Sequence, residues 1–209
     1  MSNSTHPLVL ATKFDVFFKI PGNLLPTSFQ VTKFAGTCVK LDDDTRWFDW
    51  ASFKSAIDNY NGHYLILNKF KNTTITVGKS TVETMVDKIV KFLVETLSVI
   101  VDPASIESLT SAIEATFTNL EEKSSKDFLD FTESSDGHTS SWEYRIQLAF
   151  SSPDLPEYFY SLVTTIKLEA DIVEKSGWWD LTGSTSKNFS ATINTMELLV
   201  MMGFRNPNA

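Results

Sequence analysis

Cysteine is nearly absent. Cys38 is the only one in 209 residues, so no intramolecular disulfide can form and a disulfide-dense secreted scaffold is excluded. Histidine is almost as scarce: His6, His63 and His138 lie far apart, and there is no His-based zinc spacing, Gly-rich phosphate loop or Gly-x-Ser-x-Gly elbow. Cys38 and His63 would be the only nucleophile–base pair to consider, but no motif surrounds either, and Cys38 reads better as a small core residue. The sequence therefore predicts no enzyme and no cofactor. Basic charge is in deficit, with 18 Lys plus Arg against 26 Asp plus Glu and a net charge of −8. That argues against a nucleic-acid partner and against attraction to anionic lipid as the main driving force. Long apolar runs are missing too. The nearest to the roughly 18 uncharged residues of a membrane helix is Ile89 to Val101, interrupted by Lys91 and Glu95. The segment Met1 to Pro7 has neither a basic region nor an apolar core, which predicts synthesis in the cytosol without a signal peptide, followed by release. The sequons at Asn3, Asn72 and Asn188 are then expected to go unread. The run Asp42-Asp43-Asp44 reads as favourable charge ahead of a helix rather than as a metal site.

What the chain does have is aromatic residues (16 Phe, 5 Trp and 5 Tyr) and long alternating strands. Trp142, Tyr144, Ile146, Leu148 and Phe150 fall on one strand face, with Glu143, Arg145 and Gln147 on the other. After a turn at Pro153 to Pro156, Leu162, Ile166, Leu168, Ala170 and Ile172 alternate with Thr165, Lys167, Glu169 and Asp171. The second run is long enough to cross a bilayer, although from alternation alone an ordinary half-buried sheet is the better reading. Phe189, Ala191 and Ile193 alternate again; Met196 to Phe204 is left open between strand and helix. Earlier in the chain, Lys13 to Ile20 reads as a strand. Thr27 could cap a first helix, and Trp50, Phe53, Ile57 and Tyr60 mark a second. His63 to Leu67 and Thr73 to Val77 read as a short strand pair joined by a polar connection. Between these parts lies a helical hairpin. Ser80 and Glu83 suggest a capping box, and Val82, Met85, Val86, Ile89, Val90, Leu93 and Leu97 build one apolar face. Asp102-Pro103 starts the partner helix, whose buried face is Ile106, Leu109, Ile113, Phe117 and Leu120. No repeat or linker appears, so residues 1–209 read as one α+β domain, helices layered on a mainly antiparallel sheet.

Several stretches, in order, resemble the Cyt δ-endotoxins and their volvatoxin-like fungal relatives. These are Ile113-Glu114-Ala115-Thr116-Phe117-Thr118-Asn119-Leu120, then His138 to Tyr144 leading into Ile146 to Ser151, then Lys167 to Lys175, then Ser190 to Leu199. The resemblance is concentrated from about Val82 to Phe204. It implies an antiparallel β-sheet sandwiched between two layers of α-helical hairpins. It also implies a cytolytic, pore-forming or membrane-perturbing toxin that binds membrane lipids of target cells and self-associates into oligomers there. On that resemblance the inserting strands carry Trp142, Tyr144, Ile146, Leu148, Phe150, Leu162, Ile166, Leu168, Ile172, Phe189 and Ile193. The helix bearing Val82 to Leu97 is the part that detaches. Glu143, Arg145, Lys167, Glu169 and Asp171 would then have to face a wet lumen. Because the chain starts shortly before its first strand and ends soon after its last element, the expectation is of a volvatoxin-like or compact bacterial member, and activation by proteolysis is left open.

Two other readings fit the residues. One is a module holding a small apolar ligand between sheet and helices. The other is a glycan-binding protein that uses exposed Trp178 and Trp179 without lysing cells.

Overall fold

The computed structural model describes residues 12–209; the Asn3 sequon, His6 and the segment weighed for a leader lie outside them. In chain order the elements are β1 (Asp15–Lys19), α1 (Leu25–Gly36), β2 (Val39–Asp42), β3 (Thr45–Phe48), α2 (Trp50–Asp58), β4 (Leu65–Thr81), α3 (Val82–Thr96), α4 (Pro103–Phe117), the single turn α5 (Leu120–Lys123), β5 (Leu129–Glu133), β6 (Ser140–Ser151), β7 (Tyr158–Ala170) and β8 (Ser186–Met201). Two short 3-10 turns, Gly22–Leu24 and Lys175–Trp178, complete the set.

Six strands form one sheet in the order β1-β6-β7-β8-β4, and β5 pairs with β6 on the edge that β1 also uses. β5 covers Ser140 to Tyr144 and β1 covers Ile146 to Phe150. The β1–β6 pairing is parallel and the others are antiparallel. The sheet is therefore mixed but mainly antiparallel, as expected from the sequence, with one parallel pairing at β1; alternation fixes which face a residue takes but not which way its neighbour runs. β2 and β3 form a separate hairpin between α1 and α2, so the N-terminal layer is a helix, a β-hairpin and a helix rather than a plain helical hairpin.

Helix boundaries follow local chemistry. Asp102 caps α4, accepting from the Ser105 amide at 2.9 Å, with Pro103 at the first position. The cap of α3 is Thr81, whose hydroxyl accepts from the Thr84 amide at 3.1 Å. It replaces the Ser80/Glu83 box because Ser80 is still in the strand and turns its hydroxyl to the Thr81 carbonyl. α2 is capped by Asp49, which accepts from the Ser52 amide at 3.0 Å. The Asp42–Asp44 run lies instead at the β2–β3 turn, where Asp43 and Asp44 take positive φ of 44° and 67°. It sits away from the helix start it was read as facing. Thr27 is inside α1, which begins at Leu25 ahead of Pro26.

The two strands expected around residues 63–77 are one strand, β4, 17 residues long. It pairs with β8 across two register shifts, at Leu67/Lys69 and Thr76/Lys79. The open question at Met196 to Phe204 resolves as strand as far as Met201.

Candidate functional site

Both faces of the sheet are buried, each under its own layer. On the first face Trp142, Tyr144, Ile146, Leu148, Phe150, Leu162, Ile166, Leu168, Ile172, Phe189 and Ile193 form one cluster with Val82, Met85, Val86, Ile89, Val90, Leu93 and Leu97. Leu109, Ile113 and Phe117 of α4 join it. The two residue sets read separately from the sequence are thus opposite sides of one interface. Each fully buried aliphatic or aromatic side chain contributes about 1.5–3 kcal/mol, so the six of α3 and Leu97 at its C-cap together contribute on the order of 10–20 kcal/mol. The hairpin can leave this face only for another apolar phase.

A polar clasp closes the interface at one end. Glu197, in the apolar run Met196 to Val200, is 0 % exposed. Its carboxylate accepts from the Ser98 amide at 2.7 Å, the Ser98 hydroxyl at 2.6 Å and the Asn68 side-chain amide at 2.6 Å. Asn68 is at the first register shift of β4, where an unpaired residue can be turned inward. Lys69 donates to the Thr96 carbonyl at 3.0 Å, satisfying an orphan acceptor at the end of α3. At the other end of α3, the Val82 and Glu83 amides donate to the Thr185 and Gly183 carbonyls.

The second face packs against α1, the β2–β3 hairpin and α2. Ala149, Phe159, Val163, Met196, Leu198 and Val200 meet Val31, Phe34, Phe48 and Phe53 there. Arg145 and Gln147 were read as a solvated strand face, but both are fully buried. Alternation cannot separate a polar group facing water from one facing buried partners. Arg145 donates to the Lys13 carbonyl at 3.0 Å, the Asp127 carbonyl at 2.7 Å and Glu143 at 2.7 Å. It also donates to Asp130, which with Asp127 holds Arg46. Partial burial pulls the Arg46 pKa down, but the two carboxylates outweigh it and keep it above its ordinary value. Gln147 bonds Thr32 of α1 and donates to Ser161 at 2.8 Å, and the Trp50 indole donates to Thr165 at 3.0 Å. Further along the same face, Lys167 and Asp171 are exposed and Glu169 is half-buried.

Trp178 and Trp179 divide. Trp178 is fully buried and donates to Ser140 Oγ at 2.8 Å, which corrects the reading of it as exposed; Trp179 is half-buried beside Trp142. Cys38 is buried and His63 exposed. Among the described residues no group of acidic, His or Cys side chains could hold a metal ion, and no helix is long and apolar enough to cross a membrane. An open cleft of about 380 Å³, lined by Trp50, Ala51, Lys54, Ser55, Asp58 and Phe70, lies beside α2 and not between sheet and hairpin. Sequence reasoning missed Glu197, Asn68 and Ser98. A lone carboxylate within Met196 to Val200 was the available signal.

A sheet clamped between two layers, with a helical hairpin over its most apolar face, defines a three-layered α+β class of fold. The family model described as Bacillus thuringiensis toxin matches residues 14–206. The chain belongs to this family, the Cyt toxins. Among solved structures it is similar to a δ-endotoxin, with a TM-score of 0.79 and 17 % identity over 94 % of this chain and 89 % of that one. It is also similar to the activated Cyt2Ba monomer of Bacillus thuringiensis subsp. israelensis, with a TM-score of 0.78 and 18 % identity over 92 % of this chain and 100 % of that one. A comparison with curated proteins finds no match.

Proposed function

We propose that the chain is a membrane-permeabilising cytolysin. It binds a lipid bilayer, self-associates there, lifts the α3–α4 hairpin off the sheet and presents β6, β7 and β8 to the lipid. One observation carries this reading. β6, β7 and β8 are 12, 13 and 16 residues long, each beyond the roughly 9–11 residues a tilted strand needs to cross a bilayer, and they share one apolar face under an amphipathic helical cover. Strands in lipid must pair every backbone group, so the inserted state closes between several copies. Arg145, Gln147, Ser161 and Thr165 would then line a wet lumen, with water replacing the partners they now find in the N-terminal layer.

Dye release from protein-free liposomes over a concentration series tests the activity, and a disulfide engineered between α3 and β8 tests the mechanism. Buried Cys38 sits in the opposite layer and does not compete. Release should rise steeply with concentration. The locked protein should bind vesicles but release nothing until reduced; normal release by the locked form rejects hairpin detachment.

A further inference from the structure

The open cleft beside α2 lies between two aromatic rings and an ion pair. Trp50 and Phe70 stand 5.5 Å apart at 43°, and Lys54 and Asp58, one helical turn apart on α2, join at 2.7 Å. With Ala51 and Ser55 they line about 380 Å³, within the roughly 300–1,000 Å³ of small-molecule sites. The Trp50 indole is locked from behind. Its Nε1 donates to Thr165 at 3.0 Å, and Phe48 and Phe53 make T-shaped contacts with the ring at 4.7 Å and 6.2 Å. Phe70 owes its place to the first register shift of β4. Leu65 and Leu67 pack under the N-terminal layer, so an unbroken alternation would put Lys69 there next. After the shift Lys69 reaches Thr96 instead, and Phe70 turns to Trp50 with 42 % of its surface exposed. Bulges re-aim side chains in this way, often beside functional sites.

We propose that this cleft binds the ring of a neutral hexopyranose, as a free sugar or as the end of a surface glycan. Three features of the lining define that ligand. The aromatic walls present negative π faces, which suit the C–H bonds on one face of a sugar ring. The cleft carries no net charge, because Lys54 and Asp58 are its only ionised groups and they pair. A phosphate or a cation therefore gains no counter-charge there. The pair still has hydrogen-bonding capacity. Among the described residues, Asp58 bonds only Lys54 through its side chain, and Lys54 only Asp58. A carboxylate accepts through both oxygens and an ammonium donates three times, so one acceptor oxygen and two donors are left for adjacent hydroxyls. Ser55 accepts from Asn59 at 3.3 Å and keeps its own proton for another. A flat aromatic ligand would use the walls and leave this polar row unused. The cleft lies apart from the apolar face on which the cytolytic reading rests, so either can fail alone.

Saturation-transfer NMR on the full chain with methyl β-glucoside and methyl β-galactoside tests the site. Benzyl alcohol supplies a ring without a diol, and erythritol a diol without a ring. At least one glycoside should show saturable, millimolar binding, with transfer concentrated on the C–H protons of one ring face. F70A and D58N, both at exposed side chains, should each weaken it about tenfold, and erythritol should show no transfer. Absence of saturable transfer to either glycoside overturns the site, as does binding unchanged in both variants. Tighter binding of benzyl alcohol, unaffected by D58N, overturns the sugar assignment. Vesicle sedimentation separates the two sources. Added sedimentation with phosphatidylcholine vesicles containing glucosylceramide or galactosylceramide, reversed by the matching methyl glycoside, identifies a surface glycan. Equal sedimentation with and without the glycolipid, beside retained glycoside binding, identifies a soluble sugar.

Discussion

Glu197 holds Ser98 twice, through the backbone amide at 2.7 Å and the hydroxyl at 2.6 Å. A carboxylate in the interior of the sheet therefore fastens the corner where α3 turns towards α4. If the hairpin lifts, this contact has to break, together with the Lys69–Thr96 bond beside it.

E197A should lower stability by about 2–4 kcal/mol, because the Ser98 amide and the Asn68 side chain lose their acceptor in a buried setting. A urea melt should show the midpoint fall with an unchanged slope. Dye release should begin at a lower protein concentration than for wild type, and E197Q should fall between the two. An unchanged release threshold in a destabilised E197A would mean that the clasp plays no part in opening.

R145M should cost about 2–4 kcal/mol, because Glu143 loses its ion pair, Asp130 keeps only Arg46, and the Lys13 and Asp127 carbonyls lose their donor. Equilibrium unfolding measures it. A loss below 1 kcal/mol would show that water takes over the partners Arg145 leaves behind.

Asp15 accepts from the Tyr144 hydroxyl at 2.5 Å. Burial raises its pKa from the ordinary 3.8, with the Tyr144 hydrogen bond opposing. A raised carboxylate pKa means that the unfolded chain ionises first. The contribution is fully present below 3.8 and is lost as pH rises through the folded value. The caps Asp49 and Asp102 act in the opposite sense. Hydrogen bonds from Ser52 and Ser105 lower their pKa values, so their stabilisation is lost as pH falls below 3.8. D15N cannot ionise and should not lose stability over the window in which wild type does. Melting temperatures of both proteins from pH 3 to 8 decide it, and parallel profiles would remove Asp15 from the account.

Ile100, at the hairpin corner, is fully exposed at 101 % relative accessibility. I100K should leave stability within about 0.5 kcal/mol while weakening sedimentation with vesicles, as expected if this corner makes an early apolar contact. Equal vesicle binding would place first contact elsewhere.

The parts of the fold that were legible in the sequence are those with a local cause. The alternation from Trp142 to Phe150 assigned the apolar face of β6 correctly, and Asp102-Pro103 marked the start of α4. The misreadings share one origin, in partners remote along the chain. Arg145 looks solvated until Lys13 and Asp130 are brought beside it. Asn68 looks like loop because its reason for being in a strand is Glu197. Trp178 and Trp179 are adjacent and chemically alike, yet only the position of Ser140 decides which is buried. The parallel course of β1 depends on where the N-terminal layer docks, which no window of the sequence contains. For the candidate site, the residues on each side of the main interface were readable, but their apposition and the clasp that secures it were not.

The two margins of the sheet are unequal. One is β4, 17 residues long, with no further strand beside it among the described residues. The other is the outer edge of β6, blocked end to end by β5 and β1, five residues each. A newcomer strand beside β4 meets one long edge, whereas at the other margin it meets two short strands unless they peel away from β6. Such a unit has polarity. An arc of such copies would carry one long end and one split end, and uncovering β6 would turn the split end into a second long one.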